Sequence, residues 1–345
     1  MKKTLLLIIL IIPYLLFSQI QLGNTISGDS PYESFGRALS INNDGTRIAI
    51  GGAFNDIGGE NAGHVRVFEY TNGAWSQLGN DILGEYPGDT SGTSVSISND
   101  GTIVAIGAKG NEDNGNNAGH VRVYKYENNL WNQLGGDIDG ETNDQLGIYL
   151  SMSNDGTIVG IASPYNSSGI DSEHTRVYQY ANGSWNQLGD DIEGETVNDN
   201  SGTSISMNGN GTIIAIGAYL NSGNGSYSGL TRVYKYSEGS WNQLGSDIDG
   251  EAAYHYAGIA VSMSDNGSKI AVGTNVGSVN VYEFIAPPKI NSVSLTSNNT
   301  NITVTTDSNV YNTNSGSGDL EAADFIFSIS GGGMLHSLAL LPQVF

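Results

Sequence analysis

Three acidic runs recur at one interval along the chain: Asp137, Asp139 and Glu141; Asp191, Glu193 and Glu195; Asp247, Asp249 and Glu251. Alternate residues of an extended strand share a face, so each run could present a carboxylate pair of the kind that hydrolyses glycosides. His64, His120 and His174 share another recurring position, and Arg66, Arg122, Arg176 and Arg232 hold a third. Three histidines in register suggest zinc, but equivalent positions on separate repeats lie too far apart to share one ion. A residue present in every repeat serves the fold before it serves a single site. The arginines therefore read as partners in ion pairs or carbonyl contacts between repeats, and the acidic runs as a solvated edge that deters sheet-to-sheet association. There is no Gly-x-Ser-x-Gly elbow, no His-Glu-x-x-His and no phosphate loop. No enzyme is expected on these grounds.

The elements that must position these groups are set by a repeat of roughly 55 residues. Trp75, Trp131, Trp185 and Trp241 stand 56, 54 and 56 residues apart, and the last three open the phrase Trp-Asn-Gln-Leu-Gly. Turn glycines recur at Gly45, Gly101, Gly156, Gly211 and Gly267. Each repeat reads as four strands. In the second copy, Ser94 to Ser98 alternates with period two, and Asn99-Asp100-Gly101 predicts a type I′ hairpin turn. Thr102 to Ala108 is apolar on both faces, so it is covered on both sides. His120 to Tyr126 and Trp131 to Ile138 follow as third and fourth strands. The tryptophans read as packing anchors between repeats.

The order Phe-Gly, Ser-rich strand, Asp-Gly turn, apolar strand, Gly-Ala resembles the FG-GAP repeat of integrin-alpha-type β-propellers. Phe35-Gly36, Asp44-Gly45 and Gly51-Gly52-Ala53 carry it best, with Gly92, Gly147, Gly202, Gly258, Gly107-Ala108 and Gly217-Ala218 as partial copies. The resemblance implies an all-β fold: a five-bladed β-propeller of four-stranded antiparallel blades. The last repeat stops after its third strand, and Ile20 to Ile26 matches the fourth-strand phrase. This N-terminal segment is therefore expected to complete the last blade and close the ring. The family's Asp-x-Asp-x-Asp-Gly calcium loop is missing. One carboxylate per turn cannot satisfy a cation that takes six to eight oxygens, so these loops read as turns.

Lys2 and Lys3 precede an apolar run from Leu5 to Phe17, the pattern of an export signal over residues 1–18. The propeller is expected over 19–285. Ile290 to Leu295 and Asn301 to Thr306 alternate like strands, Asp324 to Ser330 reads as a third, and Val310 to Phe325 resembles modules of bacterial immunoglobulin-like surface domains. A partial immunoglobulin-like module, an incomplete β-sandwich, is expected over 286–345, with Met334 to Phe345 either a truncated end or a native apolar tail. A formal charge of −22 with no basic cluster argues against nucleic acid, and the absence of cysteine excludes disulfides and thiol chemistry. No segment after the signal is long and apolar enough to span a bilayer.

The longer loops are acidic, with Lys109 as their only basic side chain. Binding residues concentrate on loops over rigid scaffolds. Aromatics that break the repeat fall there: Tyr165, Tyr219, Tyr227, Tyr254 and Tyr256, beside Asp171 and Glu173. These are the candidate ligand-binding residues. Calcium is the one cofactor considered, held superficially by Glu112, Asp113, Glu141, Asp144, Glu195 and Asp199. The function expected is a secreted or cell-surface, non-enzymatic adhesion protein that binds an extracellular glycan or protein. The alternatives are a passive structural segment of a larger surface protein and a secreted hydrolase on a propeller.

Overall fold

The computed structural model describes residues 20–164 and 173–284, and the backbone of 290–295 and 302–306. The chain divides into two units, Met1–Phe284 and Ile285–Phe345. In the first, five antiparallel sheets follow one another in a propeller-like arrangement. Blade 1 holds β1 (Ala38–Ile41), β2 (Arg47–Gly52), β3 (His64–Thr71), β4 (Ala74–Gln77) and β5 (Ile82–Leu83). Blade 2 holds β6 (Ser94–Ile97), β7 (Ile103–Ala108), β8 (His120–Glu127), β9 (Leu130–Gln133) and β10 (Ile138–Asp139). Blade 3 holds β11 (Tyr149–Met152), β12 (Ile158–Ser163), β13 (His174–Ala181), β14 (Ser184–Gln187) and β15 (Ile192–Glu193). Blade 4 holds β16 (Ser201–Met207), β17 (Ile213–Ala218), β18 (Leu230–Ser237), β19 (Ser240–Gln243) and β20 (Ile248–Asp249). Blade 5 has β21 (Ala260–Met263), β22 (Lys269–Gly273) and β23 (Val279–Glu283).

The fourth strand is split. In blade 2, β9 and β10 both pair with β8, on either side of a turn in which Gly135 has φ +81°. The hairpin turns also differ from the expected type I′. Gly101 is left-handed, but Asp100 is not. Instead Asp100 Oδ1 accepts from the Thr102 amide at 2.9 Å. Asn210 does the same for Thr212 at 3.2 Å, which is why Asp and Asn interchange here without loss of the turn.

The core lies in the seams between blades. Val65 and Val67 of blade 1 bury against Val104, Ile106 and Trp131 of blade 2, and the pattern repeats down to blade 5. Two devices hold the seams. The turns bond to one another in series: Asn43 N to Asn99 O, Asn99 N to Asn154 O, Asn154 N to Gly209 O, and Gly209 N to Asp265 O. Each tryptophan indole donates to the preceding Gln-Leu-Gly phrase, Trp131 to Leu78 O at 2.7 Å, Trp185 to Leu134 O at 2.7 Å and Trp241 to Leu188 O at 2.6 Å.

That second device corrects the expected closure. Ile20–Ile26 forms no strand, and blade 5 keeps three strands among the described residues. Leu22 O instead accepts from Trp75 Nε1 at 2.9 Å. The Leu-Gly phrase is read by the tryptophan of the next blade, so its presence before blade 1 requires only blade 1.

The second unit shows one antiparallel pair, β24 (Ile290–Leu295) and β25 (Ile302–Thr306). The signal segment, the third strand expected at Asp324 to Ser330 and the tail from Met334 to Phe345 lie outside the described residues.

Candidate active site

The loops entering blades 1 to 4 share one plan, in which a buried carboxylate accepts local donors. Glu33 takes the amides of Asp29 and Ser30 and Asn55 Nδ2. Asp89 takes the amides of Glu85 and Tyr86. Asp144 takes that of Glu141, and Asp199 that of Thr196 with Asn221 Nδ2 at 2.8 Å. Above it, an arginine bridges the loop to the fourth strand. Arg66 pairs with Asp29 and Asp81, Arg176 with Glu141, Asp144 and Asp191, and Arg232 with Glu195 and Asp247. The arginines are thus ion-pair partners of the loops, as the repetition implied.

This plan commits most of the carboxylates considered for calcium. Glu141, Asp144 and Glu195 pair with arginine, and Asp199 holds its own loop. The amide of Asp113 bonds Asn111 Oδ1, and Glu112 is exposed beside it. Glu173 is buried and accepts the Asn198 amide at 2.9 Å, while its Oε2 has no hydrogen-bond partner among the described residues. Burial pushes its carboxyl above the ordinary range. Tyr165 and Asp171 lie outside the described residues.

The loop entering blade 5 departs from the plan. His255 stands where the buried carboxylate stands elsewhere. Asn280, opposite Val272, stands where Arg122 lies opposite Ile106 and Arg232 opposite Ile216. Glu251, equivalent to Glu195, therefore has no arginine and joins no ion pair among the described residues, and it is exposed. Two positions before it, Asp249 ends β20. Desolvation raises the Asp249 carboxyl first, and the charges of Asp247 and Glu195 add to it.

Four of the predicted tyrosines converge on one another, two of them, Tyr254 and Tyr256, in the loop that follows this pair. The Tyr227 and Tyr256 rings stack 5.9 Å apart at 10°. Tyr254 lies 6.0 Å from Tyr227, and Tyr219 lies 6.1 Å from Tyr256. The loop entering blade 5 zips onto the preceding loop of blade 4, with Tyr254 N bonding Ser226 O at 2.8 Å and Tyr256 N bonding Tyr227 O at 3.0 Å. Asn224 Nδ2 holds Gly250 O at 2.7 Å, between the two carboxylates.

The backbone under the tyrosines is unusual. Tyr227, Tyr254 and Tyr256 have φ of +53°, +63° and +52°. The position of Tyr227 is Asn61 and Asn117 in other blades, and that of Tyr254 is Asn143 and Asn198, all left-handed. Asparagine tolerates this region and a bulky side chain does not, at a cost of about 1–3 kcal/mol per residue. Aromatic rings are kept here against local preference, and Tyr227 and Tyr254 are 44% and 57% exposed. Sequence reasoning found these tyrosines but set aside Asp249 and Glu251 because their run is repeated. The distinguishing signal was Asn280 in the arginine register.

No curated protein matches the chain. Among solved structures it is similar to a protein named as a 6-phosphogluconolactonase from Bacteroides fragilis, with 15% identity, 76% of this chain and 67% of that one covered, and a TM-score of 0.46. It is also similar to the periplasmic gluconolactonase PpgL of Pseudomonas aeruginosa, with 14% identity, 78% and 77% coverage, and a TM-score of 0.48. These likenesses concern the fold alone. The expectation of an adhesion protein is corrected to this extent: the propeller-like fold on which it leaned is shared with proteins named as lactonases, so the fold does not carry that reading. Residues 86–124, from the loop ahead of β6 into β8, match the model of the FG-GAP repeat family.

Proposed function

We propose that the chain is an exported hydrolase of the carbohydrate class, acting on a sugar ring or sugar lactone at the loops joining blades 4 and 5. The observation that carries this reading is Glu251, which escapes the arginine that neutralises its counterparts and lies between a carboxyl of raised pKa and an exposed tyrosine cluster. Asp249 is exposed at the end of β20, yet partial desolvation and the charges of Asp247 and Glu195 raise its carboxyl, and it is the proton donor. Glu251, open to solvent, is the base that takes a proton from water. Two neighbouring carboxyl groups divide acid and base work in this way. The tyrosines offer flat apolar faces and hydroxyls to a polyhydroxylated ring. Export rests on the apolar run behind Lys2 and Lys3.

The test is turnover of chromogenic glycosides and of sugar lactones by the purified chain. Asp249→Asn and Glu251→Gln should each lower kcat by ~10²–10⁴-fold, the usual contribution of an acid or base. No turnover above the buffer rate across both classes, or unchanged kcat in both variants, overturns the reading.

A further inference from the structure

The second departure from the common plan is in blade 2 and is independent of the site above. In blades 1, 3 and 4 the arginine reaches the aspartate fifteen residues on: Arg66 to Asp81, Arg176 to Asp191 and Arg232 to Asp247. Arg122 does not reach Asp137. Its Nη2 donates to Leu83 O at 2.7 Å, Nη1 lies 3.2 Å from Glu85 Oε1, and the guanidinium sits 5.6 Å from the Tyr124 ring centroid. Among the described residues, Arg122 Nε is buried with no hydrogen-bond partner, and Asp137 accepts from Gln133 Nε2 at 2.5 Å.

Beneath the freed aspartate lies His120, with 0% exposure and no hydrogen-bond partner on either ring nitrogen. Leaving buried polar atoms unpaired costs about 1–3 kcal/mol. Packing does not demand imidazole at this position, because blade 4 has Leu230 there, also buried. His120 Nδ1 lies 3.9 Å from Glu85 Oε2, and His120, Glu85 and Asp137 each offer a ligand atom within 4.8 Å of the others. We infer that His120, Glu85 and Asp137 form a site for a borderline divalent cation of the zinc type, held between the loop of blade 1 and the third and fourth strands of blade 2.

One imidazole nitrogen and two carboxylate oxygens are the donor set of a three-ligand zinc centre, with the fourth position left to water. Metal–ligand bonds of about 2.0–2.2 Å need donors roughly 3.4 Å apart, so the pair at 3.9 Å closes by about half an ångström. The charges of Asp137, Asp113 and Asp89 act on Glu85 against that of Arg122, a crowding of carboxylates that a dication relieves. Oxygen-only cations such as calcium and magnesium gain little from imidazole.

A cluster in blade 1 is an internal contrast. Asp29 and His64 correspond to Glu85 and His120, and there Glu33, the counterpart of Asp89, is the third group within the same reach. There Arg66 holds both Asp29 oxygens at 3.0 and 2.6 Å, and Glu33 is taken by backbone amides and Asn55. A cation would have to displace that arginine.

The experiment is calorimetric titration of the full metal-free chain with zinc, in millimolar magnesium and calcium. One saturable equivalent is expected. Glu85→Gln and Asp137→Asn, both on the exposed rim, should weaken it at least tenfold, as should His120→Leu, whose fold is checked by its melting curve. His64→Leu should leave it within twofold. No saturable zinc binding, displacement by equimolar calcium, or equal loss in His64→Leu and His120→Leu would overturn the assignment.

Discussion

Replacing Gly107 by alanine tests how the blades are spaced. The added Cβ would lie 2.0 Å from Gly147 O and 2.4 Å from Ser94 Oγ. Real carbon–oxygen contacts lie beyond 3 Å, so the seam between blades 2 and 3 must open by about 1 Å. Gly107 is not left-handed, so the effect is close approach alone. Overpacking of this kind costs about 1–3 kcal/mol. The Ser94 Oγ to Gly147 O bond at 2.7 Å uses the same acceptor, and its loss adds about 1 kcal/mol. A total near 2–4 kcal/mol lowers the melting midpoint by roughly 5–15 °C for a unit of this size. Gly136→Ala is the matched control: nothing lies within 4 Å of its Cβ and its φ is ordinary. It should be neutral or raise the midpoint slightly through the unfolded chain. The protein contains a natural version of the change. Ala162 of blade 3 stands where Gly107 stands in blade 2, and there the facing strand β16 carries a register shift between Ser201 and Ser204. Calorimetric melting of both variants decides the matter: a Gly107→Ala midpoint within a degree of wild type would refute the close-approach argument.

Tyr254→Asn should raise the melting midpoint while raising KM in the hydrolase assay, because asparagine suits the left-handed backbone and removes an exposed ring; a fall in both would show that the tyrosine serves packing. Arg176→Gln should destabilise the fold by about 3–5 kcal/mol in urea titrations, because it removes the arginine charge that faces the Asp144 carboxylate, which is 1% exposed. Arg47→Gln, whose pair with Glu69 is partly open to solvent, should cost no more than about 1 kcal/mol. Desolvation lowers the His64 and His120 pKa values, so the folded state binds fewer protons than the unfolded one. Stability is then full above the unfolded value near pH 6.5 and falls as pH drops below it. His64→Leu should flatten that loss between about pH 7 and 5 in midpoint-against-pH scans, and an unchanged slope would contradict it.

Much of the fold was legible because its causes are local. Period-two alternation at Ser94–Ile97, the two-faced apolar run of β7 and the Asp-Gly or Asn-Gly turns depend on neighbours a few residues apart, and variants of them recur through the five blades. The arginine ion pairs were legible too, because a charge repeated in an acidic chain needs a repeated partner. Tertiary structure decided the rest. Whether Leu22 serves the first blade or the last depends on which tryptophan its carbonyl meets, and it meets Trp75. Asp249 and Glu251 look like two more members of a repeated acidic run until Asn280, opposite Val272, leaves Glu251 without an arginine. Asp137 looks like Asp81 and Asp191 until Arg122 turns toward Leu83 O and Tyr124. Repetition along the sequence fixes which residue types occupy a position. Side-chain direction and the blade next door decide which of those equivalent groups are paired and which remain available for chemistry.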